Sequence, residues 1–418
     1  MNSGNLFDGV KVLTVARQIA APFATYQLAM HGAEVLNIEN PKEADSMRFV
    51  AGAGAGSDLA KQAMSHSYMA QAANKKSMQL DISLPKGQEI FRRLAAEADV
   101  VVENLVAGSM TKYGLGYADL SALNPRLIYC SVTGYGQDGP KYRRAAIDGA
   151  VQAASGLMSL SGTPTTGPMK VGFLMADYAT GYAAALAIVS ALYYRSQTGE
   201  GQYIDCAMLD AAMTMAGADL CEAATTGNYK RLRGNGDGRY ISNIFQCKEG
   251  TLSVADTTES RRARFWKAIG RSDIPLDPRF ASPATVAQNY AAFCAEIEKT
   301  LQQKTALEWE EIVSDAGVAA MAVRDLHQAI DNPQIVHRGL MHRFPHDAEL
   351  GYAVCVPKAP YQLSKTGARI HSLPARVGQH TDEILQRLGF GEAEIRELRA
   401  TGVVEALPST MRNTTGKG

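Results

Sequence analysis

The sequence lacks a net charge: among its 418 residues, 42 are basic and 42 are acidic. Nucleic acids and anionic membrane surfaces attract proteins with an excess of positive charge, so this balance gives no reason to expect either one. We therefore expect a small molecule as the main ligand, and neither nucleic acid nor membrane among the partners.

The sequence also lacks cysteine pairs and histidine clusters with the spacing of metal ligands. Its six cysteines stand far apart, without a Cys-x-x-Cys pair. Four of the eight histidines fall between 327 and 346, but their spacing does not place three of them on one helix face. These patterns predict reduced thiols and no metal site.

Targeting and membrane-spanning signals are missing as well. The chain begins without a basic segment that leads into an apolar one, and it has no uninterrupted run of about 18 apolar residues. These absences predict a soluble, cytoplasmic protein. At roughly 100–200 residues per domain, the length suggests two domains.

Short apolar segments alternate with helical ones in the first half of the chain. Strands are predicted at 9–16, 34–38, 99–103, 126–132 and 202–208, and helices at 22–31, from 85 onward and at 177–195. Runs of β-branched residues without polar alternation are typical of strands buried on both faces of a parallel sheet. The order predicts a doubly wound, Rossmann-like α/β domain, whose ligands bind beyond the carboxyl ends of the strands, here 16–18, 39–40, 103–105 and 133–135.

The composition changes near residue 227, where a basic segment leads into a glycine-rich loop at 234–238. Shorter strands and amphipathic helices follow, which predicts a smaller α+β domain from about 230 to 340. The loop does not follow a strand and has no Gly-Lys-Ser or Gly-Lys-Thr, so it is a weak candidate for nucleotide binding. Short helices are predicted at 381–388 and 392–399, and the tail from 411 to 418 is predicted to be disordered.

Asp177 is an acid in an apolar setting, between the segment 171–176 and a helix rich in alanine and glycine. The simpler interpretation is a helix N-cap, since an aspartate before a helix accepts backbone N–H bonds there. A carboxylate at a helix start can also be a nucleophile, and the two roles are compatible. The pair Lys75 and Lys76 could contact phosphates, although such pairs more often face solvent.

Several short motifs occur together in a specific order and spacing. They are the segments 6–13, 21–22, 32–35, 74–77, 80–81, 99–104, 123–128, 131–136, 198–202, 378–381 and 402–404. With them the chain resembles, over nearly its whole length, the class III CoA-transferases, a family also named for carnitine dehydratase and bile-acid-inducible protein F. The resemblance implies acyl-CoA and a carboxylic acid as substrates, with no tightly bound cofactor.

In this family the aspartate before the small-residue helix is the nucleophile, and Asp177 occupies that position. The resemblance implies that Asp177 attacks the acyl-CoA thioester to form an anhydride, which CoA thiolate then converts into an aspartyl-CoA thioester for the acceptor acid. Backbone N–H groups at the helix start are expected to stabilise the oxyanions.

The family's CoA-contacting positions can also be followed onto this sequence. They correspond here to Gln18, Ile19, Ala20, Asn40, Leu80, Asp81, Asn104, Leu105, Val106, Lys112 and Tyr135. Asn40 and Lys112 stand where the formyl-CoA member has arginines, and Thr133 replaces its lysine, so the phosphate contacts are expected to differ. For Leu80, Leu105 and Val106, plain core packing is an equal alternative.

The resemblance also implies an interlocked homodimer with a discontinuous large domain, here 1–229 plus 341–418, around a small domain at 230–340. Related racemases use a histidine in a Gly-His-Asp run, which reads Ala146-Ile147-Asp148 here, so that base is missing. Three alternatives stay open: CoA transfer within one diacid, an acyl-CoA isomerase, and a non-catalytic acyl-CoA-binding protein. The loop at 234–238 is shorter than the one that shields the intermediate in oxalate-using members, which argues against oxalate.

Overall fold

The computed structural model describes residues 4–52, 55–229, 232, 234–236, 238, 240–255 and 258–404. The chain forms two compact units. The large unit comprises Met1–Leu157, Lys170–Tyr229 and Gly339–Gly418, and the small unit comprises Met158–Met169 and Lys230–Arg338. Residues 158–169 belong to the small unit here, whereas the sequence-based division placed them in the large domain. The predicted disordered tail and Asp237 of the glycine-rich loop lie outside the described residues.

The strands, in chain order, are β1 (Lys11–Val15), β2 (Glu34–Glu39), β3 (Lys75–Gln79), β4 (Val100–Glu103), β5 (Ile128–Thr133), β6 (Gly162–Thr163), β7 (Gly167–Pro168), β8 (Tyr203–Ala207), β9 (Asn243–Gln246), β10 (Thr251–Ala255), β11 (Ala319–Ala322), β12 (Met341–Asp347) and β13 (Tyr352–Pro357). In the large unit, six of them form a parallel sheet in the order β3-β2-β1-β4-β5-β8, and β12 pairs with β13 in a separate hairpin. The prediction of an α/β fold built on a parallel sheet is confirmed. The five predicted strands of this sheet match the observed ones to within two residues at each end.

The helices are α1 (Ala20–Met30), α2 (Ala55–Lys61), α3 (His66–Met69), α4 (Pro85–Ala96), α5 (Ser109–Lys112), α6 (Tyr117–Leu123), α7 (Asp148–Ala154), α8 (Met175–Thr198), α9 (Met208–Met215), α10 (Gly217–Thr226), α11 (Glu259–Ala268), α12 (Pro283–Gln288), α13 (Tyr290–Leu301), α14 (Ala306–Asp315), α15 (Leu326–Ile330), α16 (Pro333–Arg338), α17 (Thr381–Arg387) and α18 (Glu392–Ala400). Short 3-10 helices occur at Ser46–Phe49, Leu157–Leu160 and Ile274–Leu276.

Helices cover both faces of the parallel sheet because neighbouring strand residues point to opposite sides. On one face, Val12 and Val102 pack with residues of α1 and α8. On the other face, Leu13 and Val101 pack with residues of α4, α17 and α18. The helices predicted at 381–388 and 392–399 therefore complete the core of the large unit.

Helix α8 lies very close to α1. A side chain at Gly181 would place its Cβ 2.8 Å from the carbonyl oxygen of Ala20 and 2.8 Å from the ring of Phe23, so only glycine permits this approach. Among the described residues, α8 is long and apolar enough to cross a membrane by length and composition alone. Core helices of soluble proteins pass the same test, and α8 buries Ala184 and Ile188 against α1 and the sheet.

Strand β3 was missed by sequence analysis because its residues are mostly polar. Its first residue, Lys75, is 7% exposed and donates hydrogen bonds to the Pro22 carbonyl at 2.6 Å and to Thr25 Oγ1 at 2.9 Å. Lys76 pairs with Glu383 of α17 at 2.8 Å. Both lysines thus hold neighbouring elements together, and these contacts give no support to the interpretation of the pair as phosphate ligands.

The small unit is an α+β structure with its own core. Strands β9, β10 and β11 form an antiparallel sheet in the order β11-β10-β9, and β6 pairs with β7. Phe245, Leu252, Phe265 and Ile297 are fully buried between this sheet and helices α11 and α13.

A buried ion pair joins the sheet of the large unit to its C-terminal segment. The Arg48 guanidinium is fully buried and donates to both carboxylate oxygens of Glu39, at 2.6 and 2.8 Å. It also donates to the carbonyl of Ala375 at 3.2 Å and to the Tyr68 hydroxyl at 2.7 Å. Burial opposes ionisation of Glu39, but Arg48 and the Ser77 hydroxyl outweigh it and hold the pKa of Glu39 below its usual value.

Replacing Arg48 by methionine is expected to lower the free energy of unfolding by about 3–5 kcal/mol, because Glu39 would stay buried without a partner. Chemical denaturation followed by circular dichroism at pH 7 measures the loss.

The matched control is Lys61→Met, which breaks the exposed ion pair between Lys61 and Asp58. This change is expected to cost about 1 kcal/mol or less. Similar losses for the two variants would contradict the view that the buried pair is structurally important.

Candidate functional site

Two cavities open beyond the carboxyl ends of the parallel strands, within the large unit. The larger has a volume of about 640 Å³ and is lined by residues that follow β1, β4 and β5, together with Asp177. The smaller, of about 270 Å³, is lined by residues that follow β1, β2 and β4. Leu105 and Val106 line both, so the two cavities adjoin. This is the edge at which ligands of doubly wound sheets bind.

Most of the predicted contact residues lie around these cavities. Gln18, Ile19, Ala20, Asn104, Leu105 and Val106 line the larger cavity with Asp177, and Asn40 and Leu80 line the smaller one. Leu80 is also 1% exposed in the core beneath the cavity, which supports core packing, and its contact with CoA stays a prediction. Val106 is 64% exposed, which rules out core packing for its side chain.

Three predicted contact residues do not line either cavity. The Asp81 carboxylate is buried and accepts hydrogen bonds from Lys42 at 2.8 Å and from the Ser83 amide at 3.0 Å. Lys112 is exposed at the end of α5, and Tyr135 is half-buried beyond β5. Their suggested CoA contacts are therefore not supported by the lining of these cavities.

Hydrogen bonds between the ends of β1 and β4 fix the floor of the site. The Asn104 side chain accepts from the Arg17 amide at 2.9 Å and donates to the Arg17 carbonyl at 2.7 Å. Gln18, the next residue, has φ +65°, a conformation that costs about 1 kcal/mol or more outside glycine. The Gln18 amide donates to Asp45 Oδ1 at 3.1 Å, and the Gln18 carbonyl accepts from the Gln71 side chain at 2.6 Å. Both backbone groups of Gln18 are therefore held.

A buried carboxyl group lies directly behind this floor. Glu103, the last residue of β4, is 4% exposed, and its Oε2 accepts from the Leu105 amide at 2.8 Å. Burial raises the pKa of Glu103 to about 7, although the Ser131 hydroxyl and the Leu105 amide oppose the shift. Glu103 thereby positions the loop that carries Leu105 and Val106.

Asp177 is not the N-cap of α8, so the favoured interpretation of its local role is wrong. The helix begins at Met175, its N-cap is Leu174, and Asp177 is the third helical residue. The capping carboxylate comes instead from Asp148, whose Oδ2 accepts from the amides of Ala176 at 2.7 Å and of Asp177 at 3.3 Å. Asp148 is 4% exposed and belongs to α7.

The first-turn amides of α8 are consequently occupied. Besides the two that bind Asp148, the Met175 amide donates to the Phe173 carbonyl and the Tyr178 amide donates to the Leu174 carbonyl. The expectation that they stabilise oxyanions is therefore wrong. The Asp177 carboxylate accepts a backbone hydrogen bond from Ala20 instead, at the start of α1.

The environment of Asp177 makes its carboxyl group unusually basic. Burial and the nearby charge of Asp148 raise its pKa to about 6, and the Ala20 amide opposes the shift. An electron-rich carboxylate facing a cavity can act as a base or as a nucleophile. Among the described residues that line this cavity none is a histidine, and Ile147, at the place of the racemase histidine, is 72% exposed.

Sequence analysis missed several polar residues of the site. Asp148 was noted only as part of the run at 146–148, although an acid at the start of a helix with Gln152 one turn later was a usable signal. Arg144 and Lys170 also line the larger cavity. Among the described residues that line the smaller cavity, Arg17 is the cation, and it pairs with Glu43 at 2.9 Å.

Comparisons with known proteins cover nearly the whole chain. The family model for CoA-transferase family III matches residues 7–381. Over 413 residues the chain is 31% identical to succinyl-CoA:glutarate CoA-transferase of Homo sapiens, covering 97% of this chain and 91% of that protein. Over 388 residues it is 32% identical to succinate–glutarate CoA-transferase of Agrobacterium fabrum, covering 91% and 95%. A solved CAIB/BAIF family protein from Brucella suis has a TM-score of 0.81 and 30% identity, covering 92% of this chain and 100% of that one.

Replacing Asp177 by asparagine is expected to stabilise the protein at pH 8 but not at about pH 4. The folded protein binds the Asp177 proton more tightly than the unfolded chain does, so wild-type stability falls as the pH rises from about 4 to about 6. Above that range the variant should gain about 2–3 kcal/mol in the free energy of unfolding. Denaturation of both proteins across this pH range measures the difference.

Two controls accompany this experiment. Asp210→Asn changes an exposed carboxylate in the first turn of α9 and is expected to show no such gain. In an Asp148→Asn background the gain from Asp177→Asn should shrink, because one cause of the raised pKa is gone. A gain that does not vary with pH would contradict the assignment of a raised pKa to Asp177.

Proposed function

The chain belongs to CoA-transferase family III, and on this premise we propose that Asp177 is the nucleophile through which it works. As a member of the family, the chain is an enzyme that transfers CoA between acyl-CoA and carboxylic acids. The observation that carries the proposal is the placement of Asp177: a half-buried carboxylate of raised pKa lines the same cavity as the strand-end residues expected to contact CoA.

The first half of the reaction forms a covalent link to the donor. An Asp177 oxygen attacks the thioester carbonyl carbon, the C–S bond breaks, and CoA leaves as a thiolate while an acyl-aspartyl anhydride remains. The thiolate then attacks the aspartyl carbonyl carbon, the anhydride C–O bond breaks, and the donor acid leaves as a carboxylate. Asp177 now carries CoA as a thioester.

The second half reverses these steps with the acceptor. The acceptor carboxylate attacks the aspartyl-CoA carbonyl carbon and expels the thiolate, which attacks the acceptor's acyl carbon in the new anhydride. A new acyl-CoA forms and the Asp177 carboxylate is regenerated, so no proton has to be moved. The Ala20 amide, which donates to the Asp177 carboxylate, is placed to stabilise the oxyanion that develops on this group.

CoA itself would extend from Asp177 towards the smaller cavity. Gln18, Ile19, Ala20 and Asn104 would contact the pantetheine arm beside Asp177, and Leu105 and Val106 would continue its path. Asn40 and Leu80 would then contact the nucleotide, with Arg17 as the nearby cation. CoA is bound here as a substrate and not as a resident cofactor.

The names of the two relatives guide the choice of acid. Both name glutarate together with succinyl-CoA or succinate, which are dicarboxylic compounds. We infer that dicarboxylic acids are the substrates to test first, including transfer between two carboxyls of one diacid.

We also propose that the chain forms a homodimer, of the interlocked type that the family resemblance implies. One stripe of α8 is apolar and exposed in the single chain: Leu186 and Tyr193 are 69% and 71% exposed, and Val189 lies between them. Exposed apolar stripes of this kind mark protein interfaces. A second copy of the chain would then complete the site. The enzyme would be soluble and cytoplasmic.

Incubation with an acyl-CoA followed by hydroxylamine is expected to leave a hydroxamate on Asp177, because hydroxylamine attacks both the anhydride and the aspartyl-CoA thioester. Mass spectrometry of peptides locates the adduct. Exchange of labelled CoA between acids should fall at least a thousandfold in Asp177→Asn, since an amide oxygen cannot carry the relay.

Asp210→Asn is the matched control, and it should retain both the adduct and the exchange. Turnover without any modification of Asp177 would contradict the mechanism. Deuterium entering the α-carbon without CoA exchange would favour the isomerase alternative, and binding of acyl-CoA without exchange would favour the non-catalytic one.

Light scattering on the purified protein is expected to give twice the 44.8 kDa mass of one chain. The value should not change on dilution, because interlocked chains cannot separate without unfolding. A single-chain mass at micromolar concentration would contradict the homodimer.

A further inference from the structure

Two cations line the cavity of Asp177. They are Arg144, in the loop between β5 and α7, and Lys170, just before α8. Among the described residues, neither side chain forms an ion pair, and both are exposed. Unpaired cations that face a cavity are candidates for binding an anionic ligand.

The segments that carry these cations are fixed to the structure around Asp177. The Val171 amide, next to Lys170, donates to Gln152 Oε1 at 2.9 Å, and Gln152 in turn donates to the capping residue Asp148 at 2.5 Å. Near Arg144, the Ala146 side chain packs directly over Gly134, where an added Cβ would lie only 2.0 Å away. Both cations therefore extend from anchored backbone rather than from free loops.

These cations do not serve as counterions for the nucleophile. The pKa of Asp177 is raised by burial and by Asp148, and no cation offsets that increase. The wall beside them is apolar, since Ile147 and Phe173 are 72% and 61% exposed and line the same cavity. A group that binds here would have a charged end at the cations and an apolar part against this wall.

The phosphates of CoA are not the anions that fit. The thioester must reach Asp177 for the reaction to occur, and the whole pantetheine arm separates the thioester from the phosphates. A cation in the cavity of Asp177 therefore faces the acyl group. Arg17 lines the smaller cavity, where the nucleotide would be bound.

We propose that Arg144 and Lys170 bind the second carboxylate of a dicarboxylic substrate while its first carboxyl group reacts at Asp177. The inference rests on the proposed function and adds the residues that select the acid. Guanidinium groups bind carboxylates through two parallel hydrogen bonds, and an ammonium group adds a point charge. Donor and acceptor acids would use the same two cations in turn, because both react at Asp177.

The test compares two donors that differ only at the far end of the acyl chain: succinyl-CoA, which ends in a carboxylate, and butyryl-CoA, which ends in a methyl group. The rate of Asp177 modification in the presence of hydroxylamine gives kcat/KM for each donor. Arg144→Gln and Lys170→Gln are each expected to lower the value for succinyl-CoA about 10- to 100-fold and to leave that for butyryl-CoA unchanged. Glutarate and its monomethyl ester, compared as acceptors, should show the same contrast.

Lys141→Gln is the matched control, because Lys141 is an exposed cation of the same loop that does not line the cavity. Titration with free CoA should give the same Kd for wild type and variants, which also shows that the variants are folded. Equal losses with both donors, weaker CoA binding, or no loss at all would overturn the inference. Absence of an Asp177 adduct in the wild type with every donor would instead refute the proposed function.

Discussion

The geometry of the site depends on the carboxylate of Asp148. Its Oδ2 occupies the amides at the start of α8, and its Oδ1 accepts from Gln152, which holds the backbone at Val171. One buried side chain thus ties together α7, α8 and the segment that enters α8. Because Asp148 takes the capping position, its negative charge lies close to the Asp177 carboxyl group, and together with burial it raises the pKa of that group.

The parallel sheet positions the cavity that Asp177 lines. All six strands end at one edge, and the loops that follow β1 and β4 are joined there by the two hydrogen bonds of Asn104. Buried Glu103 holds the next loop through the Leu105 amide. The residues expected to contact CoA are therefore positioned mainly by backbone contacts, which explains how a chain without net charge can present a defined site for an anionic substrate.

The sheet and its helices were predictable because burial on two faces leaves a strong local signal of β-branched and apolar residues. Strand β3 lacks that signal, since the partners that satisfy Lys75 and Lys76 come from α1 and α17. The role of Asp177 at the helix start was misjudged for a similar reason. The true cap comes from Asp148, 29 residues earlier, and the pattern around Asp177 does not reveal it. Positions inferred from a family resemblance predict the region in which a site lies. They do not predict that Lys112 is exposed or that Asp81 is buried.

The candidate site contains several groups whose placement costs stability. Gln18 has a strained backbone, Glu103 is a buried acid, and Asp148 and Asp177 repel each other. Elsewhere in the large unit, Arg48 binds both the Glu39 carboxylate and the Ala375 carbonyl, which ties the C-terminal segment to the sheet. Because Glu39 ends β2 directly before Asn40, this network also fixes the strand end at the smaller cavity. The return of the chain to the large unit thus contacts the core and the strand end at the candidate site through the same residues.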